Sequence, residues 1–296
     1  MDELDGHFNV HHLWKSDDRE ASLVALRDHC VAIAGSKDCD AAIMDALPRT
    51  RVIAHCGVGY DGVDVAAATA RGIKVSNTPE VLSDDVADFA LGLLLATLRR
   101  IPQGDRYVRG GRWEREGPMA FGERMWGRKV GILGMGRIGL EIARRCEAFK
   151  MSIAYHSRTA RDLPYRYYAS LVEMARDVAI LIAIVPGGAA TRHIVNRDVL
   201  DALGPRGVLI NVARGSVVDE AALIAALEEG RLGAAGLDVF ADEPRVPDAL
   251  KAMTEKVVLQ PHQASATHET RLAMGRLVLE NLLAGVAGRP LITPVN

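Results

Sequence analysis

The chain has 296 residues, of which 49% are hydrophobic and 25% are charged, and this length predicts two domains of roughly 100–200 residues each. Lys and Arg total 36 against 38 Asp and Glu, a net charge of −2, which excludes binding to nucleic acid or to an anionic membrane through bulk charge. The longest uncharged apolar run, residues 89–98, is about half of what a membrane span needs.

Short β-branched runs alternate with helical stretches along the chain, a pattern typical of parallel α/β sheets. In the first third, helices are predicted at residues 19–29 and 61–71. A long helix is predicted to begin near Ser83, because its hydroxyl can accept from free amides and the acidic residues after it favour the positive end of the helix dipole. The predicted strands of this region are residues 8–14, 31–35, 51–57 and 73–77.

The next segment, residues 101–128, is rich in Gly, Arg and Pro, with Trp113 and Trp126 set among charges. It is predicted to be a linker and an arm. Local packing is one role for these tryptophans. A subunit contact is the alternative, because Trp and Arg are enriched in interface cores.

Six more strand candidates follow, most of them nearly continuous apolar runs, as expected for strands covered by helices on both faces. Helical segments between them include residues 140–150 and 219–229. Six parallel strands with crossover helices predict a dinucleotide-binding domain. The last helix, residues 268–285, is predicted to pack back onto the first domain and to leave a ligand cleft between two lobes. The predicted strands are residues 129–133, 152–156, 178–185, 207–212, 234–240 and 256–260.

A G-x-G-x-x-G pattern, residues 134–139, directly follows the first of these six strands. Gly134 permits a tight turn, Gly136 lets the backbone approach a pyrophosphate, and Gly139 lets the helix and the strand pack closely. The phosphates would bind amides at the helix N-terminus. The pattern alone is weak evidence, but its position between a strand and a helix supports a dinucleotide site.

The end of the second strand of this domain predicts which dinucleotide is bound. An NAD-binding domain usually places Asp or Glu there for the ribose 2′-hydroxyl, whereas this chain has Ser157, Arg158 and Thr159. A guanidinium can pair with a 2′-phosphate, and the two hydroxyls add neutral donors. The alternative is a solvated loop. We therefore expect NADPH as the cofactor, with NADH used less well.

Arg214, Glu243 and His262 each stand just beyond the end of a different predicted strand. Reduction of a 2-oxo acid puts negative charge on the carbonyl oxygen, and histidine is a suitable proton donor there. A carboxylate on the other ring nitrogen would fix the imidazole and favour its protonated form. A guanidinium can bind the substrate carboxylate and polarise the carbonyl. Each residue alone could be structural, but all three beside a nucleotide site indicate catalysis.

Four segments together resemble the D-isomer-specific 2-hydroxyacid dehydrogenase family: residues 134–139, 211–220, 236–244 and 261–267. Residues 83–88 and 156–158 are similar to the NADPH-dependent glyoxylate/hydroxypyruvate reductases and their hydroxyphenylpyruvate-reducing relatives within that family. The resemblance implies a homodimer built on the cofactor domains. It also implies reduction of a small 2-oxo acid, glyoxylate or hydroxypyruvate, to the D-2-hydroxy acid.

The same resemblance implies an α/β fold of two parallel-sheet lobes. The first is a flavodoxin-like substrate-binding domain, residues 1–98 and 269–296, and the second is a Rossmann NADP-binding domain, residues 99–268. Family members generally begin with another strand before the point that matches residues 8–14. A start at an internal methionine, and a first lobe without its first strand, therefore stay open.

The resemblance also implies residue roles: Arg214 binds the substrate carboxylate, His262 is the acid/base and Glu243 is its partner. Val58 and Gly59 offer backbone amides to the same carboxylate. Asp238 matches the position that holds the nicotinamide carboxamide, whereas residues 184–188 depart from the family pattern. The expected cofactor-binding residues are Gly134, Gly136, Arg137, Ile138, Gly139, Ser157, Arg158, Thr159, Val185, Pro186, Thr191, Val212, Ala213, Asp238 and Ala264.

Three alternatives stay open. One is a hydroxyphenylpyruvate-type reductase, and another is a nucleotide-sensing regulator on the same fold, because fold alone does not fix function. The third is oxidation of formate or phosphonate, which favours NAD and is opposed by Arg158. No metal is expected, because Arg and His supply the electrophilic help. The scattered cysteines indicate reduced thiols and a cytoplasmic location.

Overall fold

The computed structural model of the chain describes residues 2–35 and 39–296. Met1, whose role as an internal start the family resemblance leaves open, lies outside the described residues. The chain forms two compact units, the first made of Met1–Leu82 and Ala266–Asn296 and the second of Ser83–Ser265. No helix in the described part of the chain is both long and apolar enough to cross a membrane.

The first unit is built on three parallel strands in the order β1-β2-β3. Asp18, Asp40 and Asp64 begin three of its helices, because each side chain accepts a hydrogen bond from an amide in the first turn. The C-terminal helix, His268–Val286, packs on β1 and β2 as predicted. The strands are β1 Ala32–Gly35, β2 Val52–His55 and β3 Lys74–Ser76, and the other helices are α1 Asp2–Asp5, α2 Arg19–Leu26, α3 Ala41–Ala46 and α4 Val65–Ala70.

The predicted strand at residues 8–14 is wrong, whereas the other three predicted strands of this unit are confirmed. Phe8 packs against the cluster of Val52, Ala54, Val278 and Leu282, and a short 3₁₀ turn follows at Leu13–Lys15. None of the strands that the structure describes pairs with residues 8–14. An isolated extended segment leaves its backbone groups without partners, so the apolar pattern alone does not make a strand.

The second unit is built on a seven-stranded sheet in the order β10-β9-β8-β7-β4-β5-β6, in which neighbouring strands are parallel. All six predicted strands are confirmed. The additional strand, β6, has two residues at the sheet edge, too few to show a pattern. In the opposite direction, the order β6-β5-β4-β7-β8-β9 is the strand order of a Rossmann fold. β10 adds a seventh strand beside β9. The strands are β4 Lys129–Leu133, β5 Ser152–His156, β6 Arg166–Tyr167, β7 Ile180–Ala183, β8 Val208–Asn211, β9 Ala234–Leu237 and β10 Val257–Leu259.

Helices cover both faces of this sheet, and β7 and β8 are buried at every residue. The long helix begins at Ser83 as predicted and packs on the helix after β4 and on β9. For this reason the compact second unit begins at residue 83, earlier than the predicted domain limit at 98. The helices are α5 Ser83–Arg99, α6 Ile101–Arg109, α7 Arg112–Glu116, α8 Arg137–Ala148, α9 Leu171–Asp177, α10 Arg197–Leu203, α11 Glu220–Glu228 and α12 Asp248–Ala252.

The predicted linker at residues 101–128 is half helical, because α6 and α7 occupy its first part. Proline in the first turn of α6 suits a helix start. Gln103 and Tyr107 are one turn apart and both buried, and the side-chain amide of Gln103 donates to the Thr254 carbonyl at 2.8 Å. Tertiary contacts on one face therefore override a composition that is typical of a loop.

Candidate active site

The glycine-rich turn between β4 and α8 is fixed by close backbone contacts. Gly134 has a φ of +103°, and a Cβ there would lie 2.5 Å from the Ile184 oxygen. A Cβ on Gly139 would lie 2.1 Å from the Gly134 oxygen. A Cβ on Gly136, by contrast, would meet nothing within 4 Å. The first and third glycines are thus required by the protein itself, whereas the middle one borders open space.

This open space lies at the N-terminus of α8, a helix of 12 residues whose first helical residue is Arg137. Amides in the first turn of a helix lack intrahelical partners, and the helix dipole is positive at this end. Arg137 is exposed and Ile138 half-buried in the same turn. These residues fit the pyrophosphate of a dinucleotide.

The loop after β5 presents Arg158 from a fixed backbone. The Tyr155 hydroxyl donates to the Arg161 carbonyl at 3.0 Å and accepts from the Arg161 amide at 2.8 Å. The Arg161 guanidinium donates to the carbonyl of Met135 in the glycine turn. Arg158 itself is exposed and has no hydrogen bond or ion pair with residues 2–35 or 39–296. The loop therefore leaves one cation available for an anionic ligand beside the glycine turn.

Two predicted cofactor donors are bonded within their own loops. The Ser157 hydroxyl donates to the Thr159 carbonyl at 2.7 Å, and the Thr191 hydroxyl donates to the Pro186 carbonyl at 2.6 Å. The Val185 side chain, in the loop after β7, lies against Gly134. Both hydroxyls are thus bonded within their own loops and would have to rotate to donate to a cofactor.

Glu243 joins the loop after β9 to His262, which follows β10. One carboxylate oxygen lies 2.8 Å from Nδ1 of His262, and the other accepts from the Phe240 amide at 3.1 Å. The Glu243 side chain is 19% exposed and that of His262 is 44% exposed. The pair therefore fixes the imidazole by Nδ1 and leaves Nε2 as the nitrogen that points away from the carboxylate.

Asp238 holds the loop that carries His262. Its carboxylate is buried and accepts from the Gln263 amide at 2.7 Å and the Ala264 amide at 3.0 Å. Burial raises the pKa of Asp238, and these two amides oppose the rise. His262 has a φ of +56°, a left-handed conformation that is uncommon for a residue other than glycine. The buried carboxylate thus stabilises an unusual backbone at His262.

Arg214 lies in the loop after β8, next to the loop of Glu243. Its Nη1 donates to the Ala213 carbonyl at 2.8 Å, and a Cβ on Gly215 would lie 1.9 Å from the backbone of Phe240. Because β8, β9 and β10 are neighbours, the loops of Arg214 and His262 start about 10 Å apart, two strand spacings.

The chain resembles known proteins over nearly its whole length. The family described as D-isomer specific 2-hydroxyacid dehydrogenase, NAD binding domain, matches residues 91–264, more than half of the chain. The chain belongs to this family. It is 47% identical over 296 residues to hydroxyphenylpyruvate reductase of Plectranthus scutellarioides, covering 99% of this chain and 94% of that protein. Glyoxylate/hydroxypyruvate reductase A of Arabidopsis thaliana gives the same identity and coverage, 47%, 99% and 94%.

The chain is also similar to a solved structure. The NADPH-dependent glyoxylate/hydroxypyruvate reductase of Sinorhizobium meliloti, in complex with NADP and malonate, has a TM-score of 0.88 and 54% sequence identity. The match covers 92% of this chain and 85% of that one. The fold is therefore the α/β fold of the 2-hydroxyacid dehydrogenases, with parallel sheets and a Rossmann NAD-binding domain.

The predicted substrate-binding residues of this dehydrogenase lie in both units. Val58 and Gly59 are half-buried in the first unit, just after β2. The side-chain amide of Asn77 donates to the Val58 carbonyl at 2.8 Å. Arg214 and His262 belong to the second unit. No group of three or more His, Cys, Asp or Glu in the described ranges could hold a metal ion.

Two further residues of the dehydrogenase were not predicted from the sequence. Asn77 fixes the loop of Val58, and Asn211 bonds to the loop of Arg214. A signal was present for Asn211, since it is a polar residue that ends an otherwise apolar strand. Asn77 follows a strand of three residues and gave no comparable signal.

Proposed function

We propose that this protein is an NADPH-dependent reductase of small 2-oxo acids that takes glyoxylate and hydroxypyruvate as substrates. The observation that carries the proposal is the His262–Glu243 pair at 2.8 Å. Glu243 follows β9, the strand next to the one that Arg214 follows, and the pair lies in the same unit as the glycine turn. The activities named for the relatives from Arabidopsis thaliana and Sinorhizobium meliloti support it.

In this proposal the bound reduced nicotinamide supplies the hydride, and the side chains manage charge and protons. Arg214 binds the substrate carboxylate and polarises the adjacent carbonyl. His262 donates a proton from Nε2 to the carbonyl oxygen. Glu243 keeps the imidazole oriented through Nδ1 and stabilises its positive charge.

The first test measures which substrates and cofactors support turnover. Steady-state rates are expected to be highest with NADPH and with glyoxylate or hydroxypyruvate. A higher kcat/KM with phenylpyruvate or its hydroxylated form would favour the second candidate function, which the 47% identical hydroxyphenylpyruvate reductase supports. Binding of NADPH without turnover of any oxo acid would instead favour a nucleotide-sensing protein.

Arg158→Ala is expected to lower the kcat/KM ratio of NADPH to NADH about tenfold to a hundredfold. The reason is the loss of a charge-assisted contact to the 2′-phosphate, worth about 1.5–3 kcal/mol. The measurement is steady-state kinetics with both cofactors. Arg206→Ala is the matched control, because Arg206 is also exposed. Arg206 precedes β8 and lies at the amino ends of the strands, whereas Arg158 follows β5 and lies at their carboxyl ends. An unchanged ratio in Arg158→Ala would remove the basis for NADPH preference.

We also propose that the enzyme is a cytoplasmic homodimer that pairs through the second unit. An apolar surface there includes Phe121, 97% exposed, together with Trp126 and Phe149, and exposed aromatic patches mark association surfaces. None of the four cysteines forms a disulfide, as is usual in a reducing compartment.

Light scattering is expected to give twice the mass of one chain for the wild type. Phe121→Asp is expected to shift the protein toward the monomer, because a charge would be buried in the contact. Ile292→Asp, a change at an exposed apolar residue of the first unit, is the control and should leave the mass unchanged. A wild type that is monomeric at micromolar concentration would contradict the proposed dimer.

A further inference from the structure

We propose that Asn211 is a positioning residue whose buried side chain sets the direction in which Arg214 presents its guanidinium. The inference rests on the proposed function in one respect, the assignment of the substrate carboxylate to Arg214. Asn211 itself touches neither substrate nor cofactor in this proposal. It acts through the loop that follows it.

Asn211 is placed to do this by the strand that it ends. It is the last residue of β8, it is 1% exposed, and it lies between Ala183 of β7 and Leu237 of β9 in the sheet register. Its backbone carbonyl accepts from the Asp238 amide at 3.0 Å. The backbone of Asn211 is therefore held by the centre of the sheet, so its side chain starts from a fixed point.

The side chain uses both of its polar atoms on the Arg214 loop. Oδ1 accepts from the Ala213 amide at 3.1 Å, and Nδ2 donates to the Arg214 carbonyl at 3.0 Å. The carbonyl of Ala213 in turn accepts from Nη1 of Arg214 at 2.8 Å. Asn211 thus holds the peptide groups on either side of the Ala213–Arg214 peptide, whose carbonyl accepts from the guanidinium, through the Ala213 amide before it and the Arg214 carbonyl after it.

The other side of the loop is fixed by packing. A Cβ on Gly215 would lie 1.9 Å from the backbone of Phe240, so the chain after Arg214 is pressed against the loop of Glu243. With Asn211 on one side and Phe240 on the other, the backbone of Arg214 has little freedom. The guanidinium direction is therefore decided by the protein before a substrate arrives.

A role in stability alone accounts for these bonds less well. The Arg214 carbonyl already accepts from the Val217 amide at 3.2 Å, so it would have a backbone partner without Asn211. The bond from Nδ2 is therefore not needed to satisfy this carbonyl, and its effect is to fix the orientation of the Arg214 backbone. A misplacement of the guanidinium by about 1 Å can cost about a hundredfold in rate.

The test is a double-mutant cycle of Asn211→Ala and Arg214→Ala, measured as kcat/KM for glyoxylate with NADPH. In the wild-type background, Asn211→Ala is expected to lower kcat/KM about tenfold to a hundredfold and to change the KM for NADPH less than about threefold. In the Arg214→Ala background it is expected to add less than about threefold, because the group through which it acts is gone. Effects that multiply in the cycle would overturn the inference.

Two more variants keep the result decisive. Asn196→Ala removes one side-chain cap on the Val199 amide in the same unit and is expected to keep full kcat/KM. If Asn211→Ala does not fold, Asn211→Ser is used in the same cycle, since a hydroxyl can replace one of the two bonds. A large loss in Arg214→Ala with no coupling to Asn211 contradicts this inference alone. No loss in Arg214→Ala contradicts the proposed function instead.

Discussion

Replacing His262 by alanine is expected to lower kcat for oxo acid reduction by a factor of about 10³–10⁴, because the proton donor and its charge are lost together. The dissociation constant for NADPH should change little, since the glycine turn and the Arg158 loop lie at the ends of other strands. Stopped-flow or steady-state rates with glyoxylate measure the first effect, and fluorescence titration of NADPH measures the second.

The left-handed backbone at His262, with a φ of +56°, requires a second variant. Asn adopts this conformation more readily than Ala, so His262→Asn removes the imidazole and keeps a residue suited to the backbone. Both variants should lose the same large factor if the chemistry is responsible. His29→Ala, a change at an exposed histidine of the first unit, is the control. Turnover near the wild-type value in His262→Asn would contradict the proposed mechanism.

Gly139→Ala is expected to destabilise the second unit by about 3 kcal/mol, in the upper range for overpacking. The new Cβ would lie 2.1 Å from the Gly134 oxygen, and both atoms belong to segments that the sheet and α8 hold in place. Neither atom can move away from the other without disrupting the glycine turn. Thermal unfolding without cofactor measures the effect, and NADPH binding should be lost with the turn.

Gly136→Ala is the matched variant in the same turn. Its φ of −81° is ordinary for alanine, and its Cβ would meet no protein atom within 4 Å. Thermal stability without cofactor should therefore stay within about 0.5 kcal/mol of the wild type. NADPH affinity is expected to fall at least about tenfold, because the methyl group enters the space that a pyrophosphate would use. Equal effects of the two variants on stability would contradict this division of roles between the glycines.

The site was predictable where its residues sit in local patterns. The glycine spacing at residues 134–139 and the position of Arg158 after β5 are local features, since a strand, a turn and a helix start follow one another directly along the chain. The roles of Asn77 and Asn211 could not be assigned in this way, although Asn211 ends an otherwise apolar strand. Their roles depend on which carbonyl lies within 3 Å of an amide, and that distance is set by folding.

The outcome for regular structure follows the same rule. The apolar run at residues 178–185 contains the buried strand Ile180–Ala183, because neighbours on both sides supply backbone partners. Residues 8–14 are less apolar and have no partner strand among the described residues, and residues 101–116 became helical through buried contacts of Gln103 and Tyr107. The apolar pattern of a segment limits the conformations that it can adopt, and its tertiary partners determine which of them forms.

By itself the amino-acid sequence determined most of the order of strands and helices, the glycine turn and the three candidate catalytic residues at strand ends. Only the tertiary structure decided that Glu243 meets Nδ1 of His262, that Asp238 holds the loop of His262, and that Asn211 holds the loop of Arg214. The physical reason is that periodicity and capping act over a few neighbouring residues. Contacts between the ends of parallel strands join residues far apart in the chain, and they exist only after the sheet has formed.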